Sequence, residues 1–297
     1  MGSTQFGNFR NLCRDSTLPI CNIFVADNQP PNAKFGGCPL LGISLSGDRN
    51  LSNLGSIILC FFAIIATGYL IYRSELKKAA VGRREIQIFL AGYIIISICE
   101  IFTVGGIPLN DTARKAFSAV HLGAITATCW VLLLNAVVGY QLLDDGTPVS
   151  MGLCIASGIV LFIGTGYITL DTAFEWTGHF NSSLSGENRN IGLFVLYQIF
   201  PLVCLVVFLL LELNLVIRVL GEKRPTAYLA AAAVLFAIGQ VFQYVISKHL
   251  CDASNGKVNG ALFETLFTLL SVVTIWIFWS SITEDDWPMP VGGGGYT

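Results

Sequence analysis

Chemistry, if this chain performs any, would have to come from a small set of side chains. There are three histidines, His121, His179 and His249, and nine cysteines. Three carboxylates, Glu100, Glu212 and Glu264, are set inside long apolar stretches. A catalytic zinc needs three or four converging ligands and an open position for water. The histidines are scattered and none has a His-x-x-x-His partner, so no metal is expected. No G-x-S-x-G elbow, P-loop or dinucleotide-binding glycine motif occurs in its required context. No catalytic residue, cofactor or metal ligand is therefore assigned, and the chain is not expected to be an enzyme.

The elements carrying these residues are apolar throughout. Of 297 residues, 54% are hydrophobic and 12% charged, whereas about a quarter are charged in a typical soluble domain. A helix needs roughly 20 apolar residues to cross the hydrocarbon of a bilayer. Seven stretches qualify, at 51–72, 86–109, 116–143, 149–170, 191–217, 226–247 and 258–282. They predict an all-α integral membrane protein, a seven-transmembrane helix bundle. Three parts follow: an amino-terminal tail with cysteines (1–50), the bundle (51–282) and a short acidic, Gly-rich tail (283–297). The net charge of −2 and the absence of any Lys/Arg block give no sign of nucleic-acid binding. No amino-terminal apolar signal segment is evident, so the first span is expected to act as the insertion signal.

Orientation follows from charge. The loop after the first span holds Arg73, Lys77, Lys78, Arg83 and Arg84, against Lys34 and Arg49 before it. The positive-inside rule then makes that loop cytosolic, with the amino end lumenal and the carboxyl end cytosolic. The N-x-Ser/Thr sequons at Asn50, Asn110 and Asn181 all fall on the opposite, lumenal side. Asn181 stands clear of any span and is the best glycan acceptor. Cys13, Cys21, Cys38 and Cys251 also fall on that side, where an oxidising lumen permits two disulfides in three connectivities. The tail is polar and rich in Gly and Pro, so bridges rather than burial are expected to hold it. Cys60, Cys99, Cys129, Cys154 and Cys204 lie inside spans and read as small buried hydrophobes.

Within the spans, Glu100, His121 and Glu264 lie in the same half of the bilayer, where an ionisable group normally faces a partner or a water-filled cavity. Glu100 is expected to pair with His121 or Glu264. Gln240, Gln243 and Tyr244 share a face at helical spacing, and His121, Thr128 and Asn135 recur every seven residues. These polar stripes read as hydrogen-bonding glue between helices. Small residues in the fourth span (Gly152, Ala156, Gly158, Gly164, Gly166) suit close packing, and Pro201 predicts a kink in the fifth. Tyr69, Tyr72, Tyr228, Trp276 and Trp279 read as an interfacial aromatic belt.

Several ordered segments resemble the fungal chitin synthase export chaperone family. They are Phe6-Gly-Asn-Phe, Cys13-Arg, Leu18-Pro-Ile-Cys21, Cys38-Pro, Val81-Gly-Arg-Arg-Glu85, Cys129-Trp130, Asp144-Asp-Gly-Thr-Pro-Val-Ser-Met151, Gly239-Gln240, Cys251 and Thr283-Glu-Asp-Asp-Trp287. Together they run over nearly the whole chain. The resemblance implies a multi-pass endoplasmic-reticulum chaperone without a catalytic site. Its partner would be a polytopic chitin synthase, whose export supports cell-wall chitin synthesis, and it would pass with that client to the plasma membrane or remain behind. Asp144 and Asp145 in the third loop, and Glu284, Asp285 and Asp286 in the tail, are then candidates for contact with the client or with export-coat machinery, and membrane lipid is the surrounding partner. The competing reading is a seven-span receptor or lipid-responsive transporter. The seventh span carries neither a lysine for a retinal Schiff base nor an Asn-Pro-x-x-Tyr signature, and seven spans alone do not establish signalling.

Overall fold

A computed structural model describes residues 6–24, 40–44, 50–105, 107, 109–141, 147–180 and 190–283. Seven helices are long and apolar enough to cross a membrane: Leu54–Leu76, Arg83–Thr103, Asp111–Gly139, Pro148–Phe174, Ile191–Leu220, Arg224–Ala253 and Gly260–Ser281. They are the first to seventh spans below. The only strands among the described residues are the antiparallel pair Ile43–Ser44 and Asn50–Leu51.

The span ends have local causes. The third span starts at Asp111, earlier than apolarity alone suggests, because Asn110 Oδ1 accepts from the Ala113 N–H at 2.8 Å. Such a cap satisfies one of the four orphan donors of a helix start. Thr147 caps the fourth span ahead of Pro148, whose missing N–H costs nothing in the first turn. Asn190 caps the fifth through Leu193 N–H at 2.9 Å. Gly82 precedes the second span with φ +68°, a conformation that favours glycine, and its carbonyl accepts from Asn135 Nδ2 at 3.1 Å.

The third span is the hub. It packs along the second, fourth and fifth spans, and the seventh packs along the sixth and against the first. His121, Thr128 and Asn135 are all buried on it. A Cβ at Gly92 of the second span would collide with Thr128 Oγ1. The main apolar core joins Phe89, Leu90, Tyr93, Leu132, Phe208, Leu229, Val272 and Phe278 from the second, third, fifth, sixth and seventh spans.

The structure sharpens three expectations. Trp279, near the end of the seventh span, is buried against protein: its Nε1 donates to Val81 O at 2.9 Å, while Trp276 Nε1 donates to Ser74 Oγ at 2.7 Å. These bonds clamp the end of the first span and the first loop to the end of the seventh span. Of the glycines in the fourth span only Gly158 and Gly166 come near the third; Gly152 and Gly164 meet nothing within 4 Å. The fifth span departs from α-geometry before Pro201, over the π segment Phe194–Ile199, and again at Leu215–Leu220. A third π segment, Phe242–Ile246, interrupts the sixth.

Candidate functional site

The most elaborate assembly of polar groups lies where the amino-terminal segment enters one end of the bundle. Phe9, Leu18, Ile20, Cys21 and Ile23 are buried and form one cluster with Leu122, Leu193 and Tyr197. Phe9 stacks on Phe24 and tilts against Phe194. Burial therefore holds this segment, contrary to the reading of its composition: five apolar side chains within a short polar stretch carry it. Burying each contributes about 1.5–3 kcal/mol.

Polar contacts set its register. Gln243 Nε2 donates to Thr17 O, and Thr17 Oγ1 lies 3.3 Å from Ser247 Oγ and accepts from Asn259 Nδ2 at 3.4 Å. Asn22 Nδ2 donates to Thr103 O at 3.2 Å and to Ser118 Oγ at 2.9 Å. Cys13 and Cys21 are joined in a disulfide, with Cα atoms 5.5 Å apart. Cys251 is also disulfide-bonded, and Cys38 lies outside the described residues. Cys60, Cys99, Cys129, Cys154 and Cys204 are free. Outside the buried seat, Arg14 pairs with Asp15 at 2.7 Å, and its hydrogen bond holds the Asp15 carboxyl below the usual carboxylate range. Lys248 stands 4.0 Å from the same carboxylate. All three side chains are solvent-accessible, so these pairs add little stability.

Beneath this segment lie two of the three span carboxylates, Glu100 and Glu264. Glu100 accepts from Thr265 Oγ1, which joins the second span to the seventh. Glu264 accepts from Thr268 Oγ1 at 2.9 Å, one turn along its own helix, and is the residue before Thr265, the partner of Glu100. His121 does not pair with Glu100: its Nδ1 is 3.0 Å from Thr103 Oγ1, which lies one turn beyond Glu100 on the second span. The expected face of Gln240, Gln243 and Tyr244 is also split. Gln243 reaches the amino-terminal segment, Tyr244 OH donates to Gln198 Oε1 at 3.0 Å, and Gln240 makes no hydrogen bond among the described residues. A π-turn adds a residue per turn and rotates successive side chains away from α-helical spacing.

Asp144, Asp145, Asn181, Glu284, Asp285 and Asp286 lie outside the described residues. Thr17, Asn22, Ser247 and Asn259 were not singled out from sequence; each is a common polar residue with no periodic partner. Asp171 is likewise new. It accepts from Thr177 N–H at 2.7 Å and Thr177 Oγ1 at 2.9 Å, and so folds back the loop after the fourth span. Among the described residues no group of three His, Cys, Asp or Glu side chains is placed to hold a metal. The arrangement orders one end of a helical bundle and sets two carboxyls inside it.

The profile of the chitin synthase export chaperone family matches residues 5–293, from the seated segment through all seven spans. The chain belongs to that family. It is 32% identical over 291 residues to the chitin synthase export chaperone of Coccidioides immitis, covering 97% of this chain and 86% of the relative. The proteins of that name from Aspergillus fumigatus (32% identity; 97% and 86% covered) and Cryptococcus neoformans (30%; 97% and 77%) match over the same extent. No solved structure matches the chain. The family is one of chaperones by name, not of enzymes.

Proposed function

We propose that this chain is an export chaperone for chitin synthase in the endoplasmic-reticulum membrane, where it helps that polytopic client fold and leave, and so supports cell-wall chitin synthesis. The observation that carries the reading is the family match over nearly the whole chain. The orientation proposed has the amino end lumenal and the carboxyl end cytosolic. The basic first loop supports it, and so do the disulfides of Cys13, Cys21 and Cys251, which belong in an oxidising compartment. Residues 1–50 then form a lumenal cysteine-containing tail, 51–282 the bundle and 283–297 a cytosolic tail. Asn181 is the proposed glycan acceptor.

A chaperone of this kind needs surfaces rather than nucleophiles, and exposed apolar side chains line the outer faces of several spans. Asp144, Asp145 and the acidic run Glu284, Asp285 and Asp286 are proposed to engage the client or a coat protein, since anionic residues are repelled by the negatively charged cytosolic leaflet. Membrane lipid surrounds the rest. The test is deletion of the gene while a tagged chitin synthase and wall chitin are followed. Retention of the synthase inside the cell is expected. Normal delivery and normal chitin would refute the reading.

A further inference from the structure

Of the three π segments, two have a cause in their own sequence. In the fifth span, Pro201 has no N–H to reach back five residues to the Leu196 carbonyl, and Thr126 Oγ1 of the third span stands 3.1 Å from that oxygen. At Leu215–Leu220 the helix is ending: Gly221, at φ +67°, donates back to Val216 O, as does Glu222 N–H at 3.2 Å. A left-handed glycine closes helices in this way. The segment Phe242–Ile246 of the sixth span has neither device. It lies within the helix rather than at its end, and its sequence, Phe-Gln-Tyr-Val-Ile, holds no proline or glycine. A π turn is rare, and a strained backbone persists where tertiary contacts hold it.

The polar contacts of that turn lead to the amino-terminal segment. Gln243, inside the π segment, donates to Thr17 O, and Ser247, the residue just after it, stands 3.3 Å from Thr17 Oγ1. Tyr244 OH donates to Gln198 Oε1, in the first π segment of the fifth span, at 3.0 Å. The amino-terminal segment covers that part of the fifth span too. Phe6 meets Phe194 edge-on, Phe9 tilts against the same ring, and Asn190 N–H donates to Gly7 O at 2.9 Å. The other neighbour is Gly260 at the start of the seventh span, which lies close against Phe242 O and Ser247.

We infer that seating of the amino-terminal segment imposes the π turn on the sixth span, so that the segment is a latch on the winding of that helix. The inference does not depend on the chaperone reading. With Thr17 withdrawn, Gln243 loses the carbonyl that holds it, and the span re-winds as the α-helix its sequence favours. Each α-helical residue turns the chain by about 100°. Taking up the extra residue therefore rotates Arg224–Val241 against Ser247–Ala253 by that angle. The short end is pinned by the disulfide of Cys251 and by the bond from Gly260 N–H to Ser247 Oγ at 3.1 Å. The turn falls on the long part, where Val234 and Val241 are exposed. Release of the segment at one end of the bundle thus changes the face that the sixth span shows to its surroundings.

The test uses the full-length chain with spin labels at positions 234 and 248, on either side of the π turn, and a control pair at 195 and 210 in the fifth span. Phe9→Asp with Ile20→Asp unseats the segment, and protease cleavage between residues 6 and 24 verifies the release. The distance between the sixth-span labels should then shift by several ångströms, while the fifth-span distance stays because Pro201 remains. Gln243→Leu severs only the bond to Thr17 and should move the sixth-span labels in the same direction; it carries the test if the double variant does not fold. Deletion of Val245 removes the extra residue outright. It should lower the melting temperature of the wild-type chain and leave that of the unseated chain unchanged or raised. Melting changes that simply add would mean that turn and segment are independent, and would overturn the inference. So would an equal shift of both label pairs, or an unchanged sixth-span distance once the segment is released; the latter would leave the packing of Gly260 as the cause of the π turn.

Discussion

The second and third spans differ from the fourth and sixth in burial far more than in apolarity. In the first pair, half of the membrane-crossing window is buried within the protein; in the second pair, 22% is. Their difference lies in the placement of polar and small residues. His121, Thr128 and Asn135 fall at one azimuth of the third span, and Gly92 lets the second span come against Thr128. In the fourth span, Gly152 and Gly164 point at nothing. Hydropathy thus finds helices that can enter a bilayer, and polar periodicity finds the ones that hold a bundle together.

That contrast breaks first at Gly92. Replacing it with Leu forces a branched side chain against Thr128, and overpacking of this kind costs about 1–3 kcal/mol or more. Gly152→Leu and Gly164→Leu should leave stability unchanged. Thermal unfolding of the three variants in detergent checks this, and equal losses would remove the distinction between inner and outer spans. Phe9→Ala tests the seated amino-terminal segment. Phe9 is fully buried, and truncating a buried Phe costs about 3–5 kcal/mol. Much of that loss should appear locally, as faster protease cleavage between residues 6 and 24 before the bundle melts.

Smaller effects sharpen the comparison. Replacing Cys13 and Cys21 together by Ser should lower stability by about 2 kcal/mol yet leave the segment seated, because its apolar residues and the Gln243 bond remain. Protection of its amides from hydrogen exchange reports on this; complete loss of protection would mean that the bridge alone holds the segment. Glu100→Gln retains an acceptor for Thr265 and should cost about 1 kcal/mol, whereas Glu100→Leu strands that hydroxyl and should cost more. Equal melting temperatures would show that the contact carries no weight. Smallest of all, alanine at Glu284, Asp285 and Asp286 should leave melting unaltered while slowing client exit, followed by the arrival of tagged synthase at the cell surface.

Much of the bundle was legible because membrane helices obey two simple periods. The seven spans follow from apolar length, and the third-span stripe from a repeat of seven. The site was harder to read for physical reasons. Residues 9–23 include only short helical turns, Arg10–Asp15 and Pro19–Asn22, so Phe9, Leu18 and Ile20 show no periodic mark of burial. Gln243 and Tyr244 were grouped by α-helical spacing, which the π segment Phe242–Ile246 does not keep. Depth matches His121 to Glu100, but depth does not fix azimuth, and the group at hydrogen-bond distance from His121 is the Thr103 hydroxyl.

The bond from Gln243 to the Thr17 carbonyl spans 226 residues of chain, and that from Asn259 to Thr17 spans 242. During synthesis the bonds at Thr17 must therefore wait for the sixth and seventh spans. The apolar cluster with Leu122, Leu193 and Tyr197 and the bonds of Asn22 need only the second, third and fifth, and can form earlier. The amino-terminal segment is thus seated in two stages, burial first and register last. A ribosome-bound chain truncated before Gln243 should protect Phe9 and Ile20 from protease yet leave Thr17 more open than in the full chain.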